Sequence, residues 1–207
     1  MKTLFVVLLL MIIGTGSAIF SQTVTIGTQV WMTKNLDVST FRNGDPILQV
    51  KSNEEWIKAG KEGKPAWCYY KNKKKNGKKY GKLYNWHAVN DSRGLAPTGW
   101  HIPTYAEWTI LSDYLGGEDA AGKKMKSTRG WNDEGNGTNS SGFSCLPGGA
   151  RGSSGGYYSI GYYGDWWSAS EGRTDDACSR SLGNGYDSLG SYDGGTEGGL
   201  SVRCLRD

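Results

Sequence analysis

Between Gly142 and Gly199 the chain gathers 16 of its 32 glycines, interleaved with Phe143, Tyr157, Tyr158, Tyr162, Tyr163, Trp166, Trp167, Tyr186 and Tyr192. Disordered segments are poor in aromatics, so this mixture predicts order. It reads as short strands joined by long loops, with glycine where the backbone must turn or approach a neighbour closely. Trp166-Trp167-Ser168-Ala169-Ser170 is the clearest strand, with Trp167 and Ala169 on the opposite face from Trp166 and Ser168. At least one of the two tryptophans is expected in the core.

Upstream, the signals are helical and local. Thr104-Tyr105-Ala106-Glu107 has the form of a capping box, in which the Thr104 hydroxyl accepts from the Glu107 N–H and the Glu107 carboxylate reaches back to the Thr104 N–H. Pro103 disfavours a helical Ile102, Trp108, Leu111 and Leu115 follow at helical spacing, and Gly116-Gly117 supplies the stop. Ser52-Asn53-Glu54-Glu55 predicts a second capped helix carrying Trp56 and Ile57, ending by Gly60 to Gly63. Leu83 to Val89 predicts one or two helical turns and Asp119 to Met125 another helical piece, whereas Thr23 to Met32 predicts two short strands around Gly27-Thr28.

Residues 1–22 have a different character: Lys2, then an apolar run from Leu4 to Ile13, then small residues from Gly14 to Ala18. This is the pattern of a secretory signal peptide, too short to span a bilayer comfortably, and no cysteine follows the run to carry a lipid. Cleavage after Ala18 or near Gln22 leaves residues 23–207 as one domain without a transmembrane anchor, large enough to bury its own core. The net charge of +4 is local, because Lys71, Lys73, Lys74, Lys75, Lys78, Lys79 and Lys82 sit together and the remainder holds 17 basic against 20 acidic residues. With Asn72, Asn76 and Gly77 among them, these lysines read as a solvated loop tip rather than a nucleic-acid surface.

Candidate chemistry is sparse. Cys68, Cys145, Cys178 and Cys204 are an even set in an exported chain, so disulfides are expected, with three connectivities open. No CxxC occurs and neither His87 nor His101 neighbours a cysteine pair, which argues against zinc. Alternation along Leu200-Ser201-Val202-Arg203-Cys204 puts Leu200, Val202 and Cys204 on one buried face, so Cys204 reads as structural. No GxSxG context accompanies the histidines, and Asp165, Asp175, Asp176, Asp187, Asp193 and Glu197 fall on expected loops. Trp131-Asn132-Asp133 matches the tripeptide of sugar-binding C-type lectins, yet it precedes the glycine-rich region and lacks that family's partner motifs, so it reads as a turn. No catalytic residue, metal ligand or cofactor is assigned.

Seven blocks carry a resemblance across the mature chain: IGTQVWMTKNL at 26–36, WCYY at 67–70, YGKLYNWHAVN at 80–90, GLAPTGWHIPTYAEW at 94–108, GFSCLPGGAR at 142–151, WWSAS at 166–170 and GLSVRCLRD at 199–207. In this order they resemble the Fibrobacter succinogenes major paralogous domain, which is similar in turn to the C-type-lectin-like and formylglycine-generating-enzyme-like folds. The resemblance implies an α+β domain with a short, twisted, mostly antiparallel sheet, two main helices and long irregular glycine-rich loops, and it implies no activity. The reactive cysteine motif of formylglycine-generating enzymes is not reproduced. Because the family usually has a cysteine resembling Cys204, and other residue types where this chain has Cys145 and Cys178, the resemblance implies the pairs Cys145–Cys178 and Cys68–Cys204.

Twelve tyrosines and nine tryptophans exceed what one core should require. The expectation is a secreted or cell-surface bacterial binding or adhesion module, non-catalytic, displaying Tyr, Trp and Asn to an extracellular glycan or protein. The rival expectations are an enzyme of the formylglycine-generating fold and a structural envelope protein.

Overall fold

The computed structural model describes residues 22–173 and 176–207. In chain order it runs β1 (Thr23–Ile26), β2 (Gln29–Met32), β3 (Leu48–Gln49), α1 (Asn53–Lys61), β4 (Ala66–Cys68), α2 (Lys74–Tyr80), β5 (Leu83–Tyr84), α3 (Trp86–Val89) and β6 (Trp100–His101). There follow α4 (Tyr105–Tyr114), α5 (Glu118–Met125), β7 (Ala150–Arg151), β8 (Tyr157–Tyr158), β9 (Tyr163–Glu171), β10 (Asp176–Gly183), β11 (Gly190–Gly195) and β12 (Leu205–Arg206). The expected signal peptide lies outside the described residues except for Gln22, whose carbonyl accepts from the Thr33 N–H at 2.8 Å.

The architecture is α+β, but four small sheets replace the single expected one. Their orders are β1-β2-β12-β6, β3-β4-β5, β7-β8 and β11-β10-β9, antiparallel apart from the β3–β4 pair. Strands of two or three residues cannot hold a sheet by themselves. The segment before β12 therefore acts as the stitch: Gly199 pairs with Arg151, Leu200 with Tyr84 and Ser201 with Trp166, joining three sheets through one stretch of backbone. The first sheet also joins the chain's ends, since Leu205 faces both Trp31 and His101.

Both predicted capping boxes form. Thr104 N–H donates to Glu107 Oε2 at 2.8 Å while Thr104 Oγ1 accepts from Glu107 N–H at 3.3 Å, and Ser52 with Glu55 repeats the arrangement ahead of α1. Gly116 and Gly117, with φ of +99° and +91°, end α4 in backbone conformations that suit glycine. Trp108 and Leu111 are fully buried, and the Trp108 ring lies 4.9 Å from Trp31 and 5.8 Å from Phe143. Each such side chain contributes about 2–3 kcal/mol by leaving water.

Elsewhere the local reading needs correction. Among the described residues there are five α-helices rather than two main ones. Leu83 to Val89 is half strand and half helix, because Leu83 and Tyr84 pair with β4 before Asn85 caps α3. The lysine cluster forms a turn at Tyr70–Asn72 followed by α2, not a loose tip. Gly77 explains why: a Cβ there would strike the Tyr69 ring, so its absence lets α2 lie flat on the domain. Lys82 is buried, its ammonium donating to the Asp37 carboxylate and carbonyl at 2.6 Å and lying 4.4 Å from the Trp67 ring centre.

Three hydrophobic clusters make up the core, and β9 parts two of them. Trp166 enters the cluster of Trp31, Trp108 and Phe143, while Trp167 enters that of Trp86, Val202 and Cys204. Leu200 packs on the latter cluster as well, so the buried face expected for Leu200, Val202 and Cys204 forms.

Candidate functional site

Eight of the nine tryptophans are core residues, Trp100 being the half-buried one. Six buried indoles donate within the protein, for example Trp167 to the Tyr84 carbonyl at 2.8 Å and Trp86 to the Ser168 carbonyl at 3.2 Å. The expected display of tryptophan is therefore corrected: large aromatic surface offered to solvent is tyrosine. Tyr158, Tyr162, Tyr163, Tyr186 and Tyr192, all from the glycine-rich region, are exposed.

The register of β9, β10 and β11 arranges part of this surface in rows. Tyr163 pairs with Gly183; Asp165 with Ser181, and Ser181 with Gly190; Trp167 with Ser179, and Ser179 with Tyr192. Successive side chains alternate between faces, so these odd and even positions converge on one side of the sheet. The middle strand contributes Ala177, Ser179, Ser181 and Gly183 to it, a low floor between taller edges. A Cβ on Gly190 would lie 2.8 Å from the Tyr192 ring, and one on Gly183 2.9 Å from Tyr186 and 3.2 Å from Tyr163. Glycine at both positions thus lets the tyrosine rings lie along the face.

The β7–β8 hairpin walls one end of this face. Between them lies a cavity of about 320 Å³ lined by Tyr158, Asp165, Trp167, Ser179, Tyr192 and a rim of glycines. Arg151, itself buried, fixes the hairpin by donating to the carbonyls of Val50, Ser52 and Gly155 at 2.8 to 3.2 Å, with Trp56 and Tyr157 against its guanidinium. Gly149 has φ of +66° and touches the Tyr158 carbonyl so closely that no side chain fits there.

Asp165 is the charged group of the floor. Its Oδ1 accepts from the Ser181 hydroxyl at 2.5 Å, and burial raises its pKa above the usual carboxylate range despite that bond. The Ser179 hydroxyl donates to the Tyr192 carbonyl at 3.1 Å, which fixes the strand carrying that ring. Among the described residues neither serine is bonded to a histidine. The floor thus holds one carboxylate and two serine hydroxyls between tyrosine-bearing edges, with both hydroxyls donating within the sheet.

Residues singled out earlier fall elsewhere. All four cysteines are free thiols, so neither Cys145–Cys178 nor Cys68–Cys204 is joined. The packing gives the reason: Cys68 lies with Trp56 and Tyr70, Cys145 with Trp31 and Trp108, and Cys204 with Trp86 and Val202, in three separate clusters, while Cys178 sits on β10 with its thiol against the Glu171 carbonyl. Burial pushes Cys145 and Cys204 up to about 12, and burial with Asp193 nearby pushes Cys178 up to about 11. None is an activated thiolate.

His87 Nε2 lies 3.2 Å from the Gly60 carbonyl, and His101 bridges two carboxylates away from the tyrosine face. Asp165, Asp176 and Asp193 lie on strands rather than loops, and Asp175 is outside the described residues. Asn132-Asp133 forms the expected turn, with Trp131 in the core and Asn136 Oδ1 accepting from the Trp131 N–H at 3.1 Å. Beside it the buried Lys126 ammonium donates to the Gly183 and Tyr186 carbonyls at 3.2 and 2.7 Å. Asp165, expected on a loop, stands inside β9, and the alternation of Tyr163-Gly164-Asp165-Trp166-Trp167 is the sequence signal for that strand.

Fold and site together define an α+β domain of small, mostly antiparallel sheets that offers a tyrosine-edged, serine-floored face. The chain belongs to the Fibrobacter succinogenes major domain family, whose model matches residues 24–206. No curated protein and no solved structure matches it. Among the described residues no helix is long and apolar enough to cross a membrane.

Proposed function

We propose that this domain is an exported, non-catalytic binding module that holds a glycan on the face formed by β9, β10 and β11. The observation that carries the reading is the row register, which sets Asp165, Ser179 and Ser181 between Tyr163 and Tyr192 on one side of the sheet. Sugars offer hydroxyls to carboxylate and hydroxyl partners and C–H faces to tyrosine rings. The signal-peptide pattern of residues 1–22 supports action outside the bacterial cell. A C-type-lectin-like fold is part of the same reading, supported by the pairing of the first hairpin with the last strand and by the long ordered region that carries the site.

A glycan array with the parent protein, Tyr192→Ala and Asp165→Asn is the test. A retained neutral glycan should be bound about tenfold more weakly by each variant, the loss of one stacking ring or one hydrogen-bonded carboxylate. An array on which nothing is retained, or on which both variants bind like the parent, sinks the proposal. Turnover of the bound glycan would instead favour the enzyme reading.

A further inference from the structure

A cavity of about 600 Å³ lies away from the tyrosine face, between α2, the segment Thr33 to Asp37 and the loops around Arg129 and Ser144. Its charge is one-sided. Lys34, Lys78, Lys79, Arg129 and Arg203 line it against a single acid, Asp37, and Asp37 already holds the Lys82 ammonium at 2.6 Å. Among the described residues none of those five cations is in an ion pair.

Arg203 makes this more than a scatter of surface lysines. It is 1% exposed, yet every partner it has is neutral: Nε and Nη2 donate to Asn35 Oδ1 at 3.0 and 2.7 Å, and Nη1 donates to the Met32 and Phe143 carbonyls at 3.1 and 2.8 Å. A guanidinium has five N–H donors, so one Nη2 hydrogen is left over. Burial lowers the Arg203 pKa, the expected response of a charge enclosed without a counterion. An anion entering the cleft would supply that counterion.

The backbone that carries Lys78 and Lys79 is also held in place. Asn35 Nδ2 donates to the Tyr80 carbonyl at 2.8 Å, and a Cβ on Gly81 would lie 2.8 Å from the Leu36 carbonyl oxygen, so the end of α2 is pressed onto the Asn35 strand exit. Apart from Leu146, Gly77 and Gly81, the remaining lining is hydroxyl and amide, from Thr33, Ser127, Asn139 and Ser144 among others, and among the described residues it has no aromatic ring on which a nucleobase could stack. Amides and hydroxyls between one buried, fixed guanidinium and exposed cations match the mixed chemistry of an acidic sugar.

We propose that this cleft binds a uronic-acid-bearing oligosaccharide, with one carboxylate at Arg203 and neighbouring carboxylates at Lys79 and Arg129. The volume suits a short segment of such a chain. This site is separate from the tyrosine face, so either can fail without the other.

Titration calorimetry of the protein with trigalacturonate tests it, at about 50 mM salt where such contacts are strong. Trigalacturonate should bind, the neutral galactose trisaccharide should bind at least about tenfold more weakly, and raising the salt should weaken the acidic ligand. The double variant Lys79→Gln/Arg129→Gln should lose about tenfold or more with an unchanged melting temperature, while Tyr192→Ala should bind like the parent. Four outcomes overturn the proposal: no heat with trigalacturonate, equal binding of the neutral trisaccharide, binding indifferent to the double variant, or equally tight binding of sulfate or a single-stranded oligonucleotide.

Discussion

His101 Nε2 stands 2.9 Å from Glu107 Oε1, the carboxylate that also caps α4 through its other oxygen. On the far side of the ring, Nδ1 lies 2.8 Å from Asp207 Oδ1, so one imidazole ties the start of α4 to the end of the chain. Burial opposes the charge on His101, but the bonds to Asp207 and Glu107 outweigh it and the pKa is raised. Burial likewise opposes ionisation of Glu107, yet the Thr104 N–H and His101 lower its pKa.

The signs then fix a pH window. The contribution of a raised histidine is complete below its unfolded pKa of about 6.5 and fades as pH climbs through the folded value, and that of a lowered glutamate is lost in acid below about 4.3. His101→Gln should therefore cost most between about pH 5 and 6.5, about 0.5–1 kcal/mol for a partly exposed pair, or roughly 1–4 °C in Tm. Thermal melts of parent and variant from acid to alkaline pH check this. A gap that widens above neutrality would contradict it.

Asn35 should behave as a keystone. Its Oδ1 accepts from Arg203 Nε and Nη2 and from the Trp166 indole at 2.9 Å, while its Nδ2 serves the Tyr80 carbonyl. Asn35→Ala strands a buried guanidinium and a buried indole and should cost about 2–4 kcal/mol in urea unfolding. Asn35→Asp keeps the acceptor and adds a counterion at the loss of one donor, so it should be the milder change; the reverse order would show that the amide donor matters more than the charge.

The cysteines give a direct count. The unfolded, unreduced chain should titrate four thiols, and the native protein should release only Cys178, slowly, because its thiol is held up to about 11 while the others are buried. Chromogenic thiol titration under both conditions distinguishes this from one bridge, which would leave two.

What could be read from sequence was what lies within one turn of chain. Thr104 with Glu107, Ser52 with Glu55 and the Gly27-Thr28 hairpin are complete within four residues, and each forms as expected. Contacts across the fold were not legible. Lys82 and Arg203 look like surface charges until Asp37 and Asn35 enclose them, the tryptophans look like surplus until three clusters absorb them, and an even set of cysteines looks paired until packing separates it. The site suffered most, since Asp165, Ser181 and Tyr192 meet only through strand register.

Asp165 should separate stability from binding. Its pKa is raised in the folded state chiefly by burial, with the Ser181 bond opposing, so the folded protein holds this proton more tightly than the unfolded chain. Stability from this group is therefore present below the unfolded value of about 3.9 and lost as pH rises through the folded one, so ionising this carboxylate is a cost to the fold. Asp165→Asn removes that cost while Oδ1 can still accept from Ser181. The variant should melt higher at pH 7, by roughly 2–4 °C for about 1 kcal/mol, and should match the parent in strong acid. If the carboxylate also accepts sugar hydroxyls, the same variant binds glycan about tenfold more weakly. Melting curves and glycan titration on one sample decide the matter: a variant that melts lower at pH 7 would make Asp165 a structural residue, and the tyrosine face would lose the carboxylate proposed to hold the ligand.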